Sequence, residues 1–333
     1  MRSRTPISVG ALLVVAVGMA VGSVSVAFAR HTGAATGVHH AANGRISFAQ
    51  FDPAVGDTTL WTARVDGTHR RRLTLRQSSD PDWSPNGRRI AYDFFDSTGN
   101  EHIATVRPNG RNRRQITSGR GIQEEPKWSP SGRWITFDAS PVTPDDPSFS
   151  TSIWIMHPDG SHQRRVTRSG FDVEPVFSPN GSEIAFGRIT GANANGEQLE
   201  AVYIVSANGT HLRRVVSPRA GLEHPDWSPN GRWITFNIEP RTSKTAAAGA
   251  VLAVHPNGRG LHILRRATRR LLFFHAVWSP DGRKMLSGCH DLRDDLDKLC
   301  VINAATGRAR ITLSAAPFPV NVPAWGPRAR ARR

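Results

Sequence analysis

The sequence predicts an all-β fold, a six-bladed β-propeller of four-stranded blades. A Trp-Ser-Pro-x-Gly segment recurs roughly every 45 to 51 residues, and a second Asx-Gly turn stands between copies. The two ends of the chain complement each other as parts of one blade. A helix-period apolar pattern is sustained nowhere after the N-terminal apolar stretch.

Composition points the same way. The 333 residues include 9 Trp and 14 Phe, too many buried-type side chains for a solvated coil, and length enough for a core without a metal or disulfide scaffold. The 30 Gly and 23 Pro indicate many turns. The net charge of +16 invites a nucleic-acid reading. Only Lys127, Lys244, Lys284 and Lys298 break an otherwise all-arginine basic set, a skew that coding bias in a GC-rich genome produces as readily as phosphate contact.

The N-terminus decides the compartment. Arg2 and Arg4 precede an uncharged stretch from Thr5 to Ala29 that ends in Ala27-Phe28-Ala29, the small-x-small pattern of a signal peptidase site. Residues 1–29 read as a signal peptide and 30–42 as a linker. An uncleaved anchor is the alternative, since about 20 apolar residues can span a bilayer. Without a Cys after the apolar run, and with Arg2 and Arg4 separated, lipoprotein anchoring and twin-arginine export are not expected. The protein is expected to be exported: extracellular, periplasmic or cell-wall associated. An exported protein meets no genomic DNA. In such a compartment Cys289 and Cys300 are expected to pair, bridging a hairpin formed by MLSGC and LCVIN.

The propeller is placed at residues 43–327. DPDWSPNGRRIAYDF begins at Asp80, EPKWSPSGRWITFDA at Glu125, EPVFSPNGSEIAFGR at Glu174, HPDWSPNGRWITFNI at His224 and HAVWSPDGRKMLSGC at His275. A truncated copy, VPAWGP, starts at Val322. Each copy encodes a first strand ending at the aromatic, a Pro-Asx-Gly hairpin and an alternating second strand. A third strand of the IWIM type, a second Asx-Gly turn and a short fourth strand of the RVT type follow. NGRISF from Asn43 matches a second strand with no first strand before it. PAWGP from Pro323 supplies that strand, which closes the ring and removes exposed edges. Residues 328–333 form a basic tail.

The W-S-P-[DN]-G-x-x-[IL]-x-[FY] repeat, with its x-x-G-x-x-x-R-x-[LVI]-T partner, resembles the WD40-like (PD40) repeat of the TolB family over roughly residues 43 to 327. The resemblance implies the propeller fold. TolB itself carries an α/β domain ahead of its propeller, and the dozen or so residues from His31 to Ala42 leave no room for one here. The repeats are also similar to those of prolyl-oligopeptidase-like propellers, but no G-x-S-x-G and no length for a hydrolase domain are present.

The first strands line the channel of a propeller. Trp83, Trp128, Trp227, Trp278 and Trp325, with Phe177 once, are expected to pack between blades. The arginine pairs that open the fourth strands, such as Arg71-Arg72 and Arg164-Arg165, read as a solvated rim able to attract an acidic polymer. The residue three before each aromatic is expected at the channel mouth: Asp80, Glu125, Glu174, His224, His275 and Val322, with Glu124 and Glu223 beside them. The varied segments from Asp138, Gly187 and Asn237 are expected to be loops on the same face, where recognition usually resides. This acidic mouth departs from the global charge and could take a cation or a basic peptide.

The function expected is an exported, non-catalytic binding scaffold for a protein, peptide or cell-envelope polymer. No catalytic residue and no cofactor are assigned, and metal binding is left open. Partners are expected to be an envelope or secreted protein or peptide, or an acidic polymer. No nucleic acid is expected, a membrane only if the apolar segment stays uncleaved, and the chain should be a monomer. The alternative is a polysaccharide lyase or hydrolase at the channel mouth, metal-dependent or not. It rests on the His224–His275 pair, which looks like the constellations of some propeller polysaccharide lyases.

Overall fold

The computed structural model describes residues 42–142, 148–168, 170–239, 248–314 and 320–328. The signal segment 1–29, linker residues 30–41, tail residues 329–333 and parts of the predicted loops after Asp138 and Asn237 lie outside them. All described regular structure is β, in six antiparallel sheets.

Five blades are continuous in sequence. Their first strands are Ser78–Trp83, Ile122–Trp128, Phe171–Phe177, Leu222–Trp227 and Leu271–Trp278. The remaining blade is composite: Val320–Pro327 pairs with Asn43–Asp52, which continues to Asp57–Ala63 and Arg71–Arg72. The C-terminal strand thus closes the ring on the N-terminal ones, as the repeat predicts. With that composite blade taken as the first, the others follow in chain order.

The repeat motif is a set of local hydrogen bonds. In the Ser-Pro-Asn-Gly hairpin, Ser84 Oγ donates to Asn86 Oδ1 at 2.9 Å and accepts the Arg89 N–H at 2.9 Å. Ser279 repeats this with Asp281 and Lys284, at 2.7 and 3.0 Å. The side chains thereby take over donors and acceptors that the tight turn leaves open. The fourth strands His262–Arg265 and Ala309–Leu313 are the longer ones. In four blades the fourth strand is only two residues long, as at Arg71–Arg72 and Arg164–Arg165. The threonine after three of these explains why: Thr74, Thr117 and Thr167 accept the N–H of Leu60, Ile103 and Ile153 through Oγ1, at 2.9, 2.8 and 3.0 Å. A hydroxyl stands in for the backbone carbonyl, and the apolar residue before it (Leu73, Ile116, Val166) turns into the core.

The glycine of the outer turn has a second duty besides its left-handed φ. A Cβ at Gly209 would sit 2.9 Å from the Val166 carbonyl oxygen of the preceding blade, and one at Gly67 2.9 Å from that of Thr312. Each outer turn therefore abuts its neighbour, and the Gly67–Thr312 contact completes the circle. The inner hairpins touch likewise, with Gly132 against Pro85 and Gly282 against Pro229, both 3.7 Å from a built Cβ. One face of the ring is thus a continuous layer of turns. The other carries the strand 2–3 loops and the connections between blades.

Two expectations change. The segment from Gly187 to Glu200 is an extended hairpin, Glu183–Ala192 against Gln198–Ser206, rather than a loop. Asn193 closes it by accepting the N–H groups of Asn195 and Glu197. The rim arginines are also not simply solvated. Arg71, Arg164 and Arg213 donate to the Asn109, Ala207 and Pro256 carbonyls in the turn of the next blade.

Cys289 and Cys300 form a disulfide, S–S 2.04 Å, between the second and third strands of the sixth blade. Both are fully buried in its core.

Candidate functional site

Every first strand carries a bulge, and the residue three before the aromatic sits in it. Asp80, Glu125, Glu174, His224, His275 and Val322 have φ of 44, 53, 58, 53, 47 and 45°. Non-glycine residues rarely adopt this region, so the recurrence at one level of a channel marks a built feature. The bulge shifts the register between Ser79 and Asp82 and between Glu124 and Lys127, and Asp80 and Asp82, two residues apart, both line the channel.

The preceding blade holds four of the six bulges in place. Asp93 Oδ2 accepts the Glu125 N–H at 3.1 Å, Asp138 Oδ1 that of Glu174 at 3.4 Å, and Asn237 Oδ1 that of Ala276 at 2.9 Å. The fourth blade has Gly187 at this place, and the Glu174 carboxylate itself accepts the His224 N–H. Glu200, from the third strand, fills the space over Gly187.

The result is a two-tiered channel. The upper tier is the bulge residues. The lower tier is the residue before each aromatic: Asp82, Lys127, Val176, Asp226, Val277 and Ala324. Asp82 and Asp226 accept the N–H groups of Trp128 and Trp278 at 2.7 and 2.8 Å. Together the tiers enclose about 140 Å³.

Glu125, Glu174 and His224 bring one ligand atom each within 4.8 Å of one another, and so do Glu223, His224 and His275. These five residues thus form two triads sharing His224, either of which could hold a divalent cation by ligand type. His224 Nε2 lies 3.2 Å from Glu174 Oε1, and its ring meets His275 edge-on at 3.4 Å between centroids. Asp80 lines the channel outside both triads. Glu124 does not line it: its carboxyl turns sideways to hydrogen-bond Glu101 and Asp138.

Electrostatics follow from burial. Desolvation, reinforced by neighbouring carboxylates, pushes Asp93, Glu125, Asp138, Glu174 and Glu200 well above the usual carboxyl range. It pushes Glu101 up to about 11 and Glu223 to about 7. Burial, then His275 and Lys127, pulls His224 well below the usual imidazole value and keeps it neutral. Like charges this close cannot all ionise, so the mouth stores protons that a cation would displace.

Sequence reasoning located the upper tier and missed Asp82, Lys127, Asp226, Glu101 and Glu200. The lower tier was readable as the residue before each aromatic, had the bulge been anticipated. Glu101 and Glu200 carry no repeat signal.

With the repeat geometry established, comparison by sequence gives the family. Residues 34–329 match the TolB β-propeller domain family (PD40). The chain belongs to it. TolB from Acinetobacter baumannii superposes with a TM-score of 0.69 at 23% identity, over 86% of this chain and 67% of that one. Hydrazine synthase from Kuenenia stuttgartiensis gives 0.71 at 15% identity, over 87% and 48%, so this chain spans about half of it. An oligogalacturonate lyase in complex with manganese gives 0.52 at 13% identity, over 81% and 74%. At such identities these likenesses concern the fold. Compared with curated proteins, the chain matches none. In this TolB-type propeller the blade-to-blade bonds of Asp93, Asp138 and Asn237 hold the bulges at Glu125, Glu174 and His275.

Proposed function

We propose that this chain is an exported, non-catalytic propeller scaffold whose acidic channel mouth receives a basic side chain or segment of an envelope or secreted protein or peptide. The observation that carries this is the size and lining of the channel. About 140 Å³ walled by buried carboxyl groups suits an inserted cationic side chain. It is well below the roughly 300–1,000 Å³ that encloses a small-molecule ligand. Export is supported by the A-x-A end of the apolar stretch and by the Cys289–Cys300 disulfide.

Titration of the mature protein with oligolysine and oligoglutamate peptides tests the reading. Oligolysine should bind and release protons, with affinity rising with pH because ionised carboxylates are the binding form. Glu125→Gln/Glu174→Gln should abolish this binding. Equal binding of both peptides, or none of oligolysine, overturns the reading.

The two His–Glu triads favour a second reading, a metal-assisted lyase on a uronate polymer. Formation of unsaturated products from polygalacturonate on adding Mn²⁺, lost in His224→Ala, would establish it in place of the first.

A further inference from the structure

Positive charge lies on both faces of the ring, with Arg120, Arg168, Arg266 and Arg269 on the loop face and a denser set on the turn face. The turn face exposes Arg88, Arg111, Arg133, Arg232, Arg259 and Arg283, from four different blades. The acidic residues that share this face are engaged in it. Asp66 accepts the Thr68 N–H and hydroxyl, Asp159 does the same for Ser161, Glu183 pairs with Arg213, and Asp281 accepts from Ser279. The acidic channel groups belong to the first strands, inside the ring.

We propose that the turn face docks on a lipid bilayer bearing anionic headgroups. Three observations select a bilayer. First, the hairpins are locked edge to edge by the Gly132–Pro85 and Gly282–Pro229 contacts, so the arginines are displayed on a continuous layer and not along a groove that would hold one linear polymer. Second, Leu212 and Leu261 stand at equivalent places in the outer turns of neighbouring blades, 47% and 37% exposed, where other blades have Arg70 and Arg113. Apolar side chains among cations fit a headgroup–acyl boundary and gain nothing from a soluble polyanion. Third, the propeller begins and ends on this face: the Arg328 N–H donates to the Ala42 carbonyl at 2.6 Å. The sequence beyond Arg328 adds Arg330, Arg332 and Arg333. This inference is independent of the channel reading.

Co-sedimentation of the mature protein (residues 30–333) with vesicles tests it. Vesicles of equimolar phosphatidylcholine and phosphatidylglycerol should bind it, pure phosphatidylcholine vesicles should not, and added salt should weaken binding. Arginine near an anionic surface is worth about 1 kcal/mol, so each turn-face replacement should lower partitioning about five-fold. R88Q/R111Q/R133Q/R232Q should therefore nearly abolish binding. The equal-charge control R120Q/R168Q/R266Q/R269Q, on the opposite face, should leave it unchanged. L212S/L261S should weaken vesicle binding and leave binding of inorganic polyphosphate as it was. Equal loss in both arginine variants, or binding of polyphosphate without binding of anionic vesicles, overturns the proposal.

Discussion

The indole N–H of Trp83 donates to Ser47 Oγ at 2.9 Å, across the seam between the first two blades. Trp278 makes the same bond to Thr235, also at 2.9 Å. Both acceptors occupy one repeat position, the residue after the buried isoleucine of the second strand, Ile46 or Ile234. Trp128, Trp227 and Trp325 meet Ala91, Ala185 and Leu286 there, in shared core clusters, and their indole N–H groups are buried without a partner. An unmet buried donor costs about 1–3 kcal/mol.

Supplying the missing acceptor should therefore stabilise the protein. Ala185→Ser is expected to raise unfolding free energy by about 1 kcal/mol, and Ser47→Ala to lower it by about 1–3 kcal/mol. Denaturant melts of the two variants check this. A destabilised Ala185→Ser with Trp227 still in place would mean that the seam has no room for the hydroxyl.

A glycine from a strand 2–3 loop and one from an outer turn give a paired prediction. Gly99 and Gly209 have φ of 80 and 90°, but a Cβ at Gly99 meets open space while one at Gly209 meets the Val166 carbonyl. Gly99→Ala should cost about 1–2 kcal/mol, the left-handed penalty alone. Gly209→Ala should cost clearly more. Equal losses would show that contact between blades does not select this glycine.

That pair also shows what the sequence made legible. Turn residues were read from local conformation, and they placed the strands and the blade number because each repeat needs its own two turns. The reason Gly209 is fixed beyond its φ lies in the preceding blade and has no local signature. The same divide runs through the site. Asp80, Glu125 and Glu174 announced themselves by repeat register. Asp82 and Asp226 line the channel one level below, two residues after the bulge, and only the arrangement of the blades around the axis brings them together. Glu200 takes its place only because Gly187 leaves it space.

Ring closure depends on a short segment. Trp325 packs with Ile46 and Phe48 of its own blade and with Leu286 and Val301 of the sixth. Gly326, where other copies have Ser, lies directly against the Trp83 ring. A chain ending at Pro319 should expose Ile46 and Phe48, melt at lower temperature and self-associate on size-exclusion chromatography. Unchanged thermal stability would contradict closure by this strand.

Disulfide loss should act locally. Cys289 and Cys300 are 11 residues apart, a separation for which chain entropy predicts a contribution of about 3 kcal/mol. Cys289→Ala/Cys300→Ala should lower stability by about 2–3 kcal/mol and leave oligolysine binding intact. Loss of binding in a folded double variant would show that the sixth blade bears on the channel mouth.

The channel carboxyls make stability depend on pH in an unusual sense. Burial raises Asp82 to about 6 and Asp226 to about 7, against an ordinary value of 3.8. A carboxyl raised in the folded state binds its proton more tightly there, so its stabilising effect is complete below the unfolded value and is lost as pH climbs through the folded one. The stabilising carboxylates Asp52 and Asp291, lowered by hydrogen bonds to Arg72 and Arg270, act in the opposite sense but lose their effect only below about pH 4. His224, lowered by burial, acts in the opposite sense up to about pH 6.5, but it is one group against several raised carboxyls, so Tm should fall as pH rises from 5 to 8. Asparagine at either position keeps an acceptor for the Trp128 or Trp278 N–H and removes the titration. Asp82→Asn/Asp226→Asn should accordingly make the fall shallower, the remaining slope coming from Glu223 and the other raised carboxyls, and a wild-type Tm that instead rises from pH 5 to pH 8 would refute the assignment of proton storage to this channel.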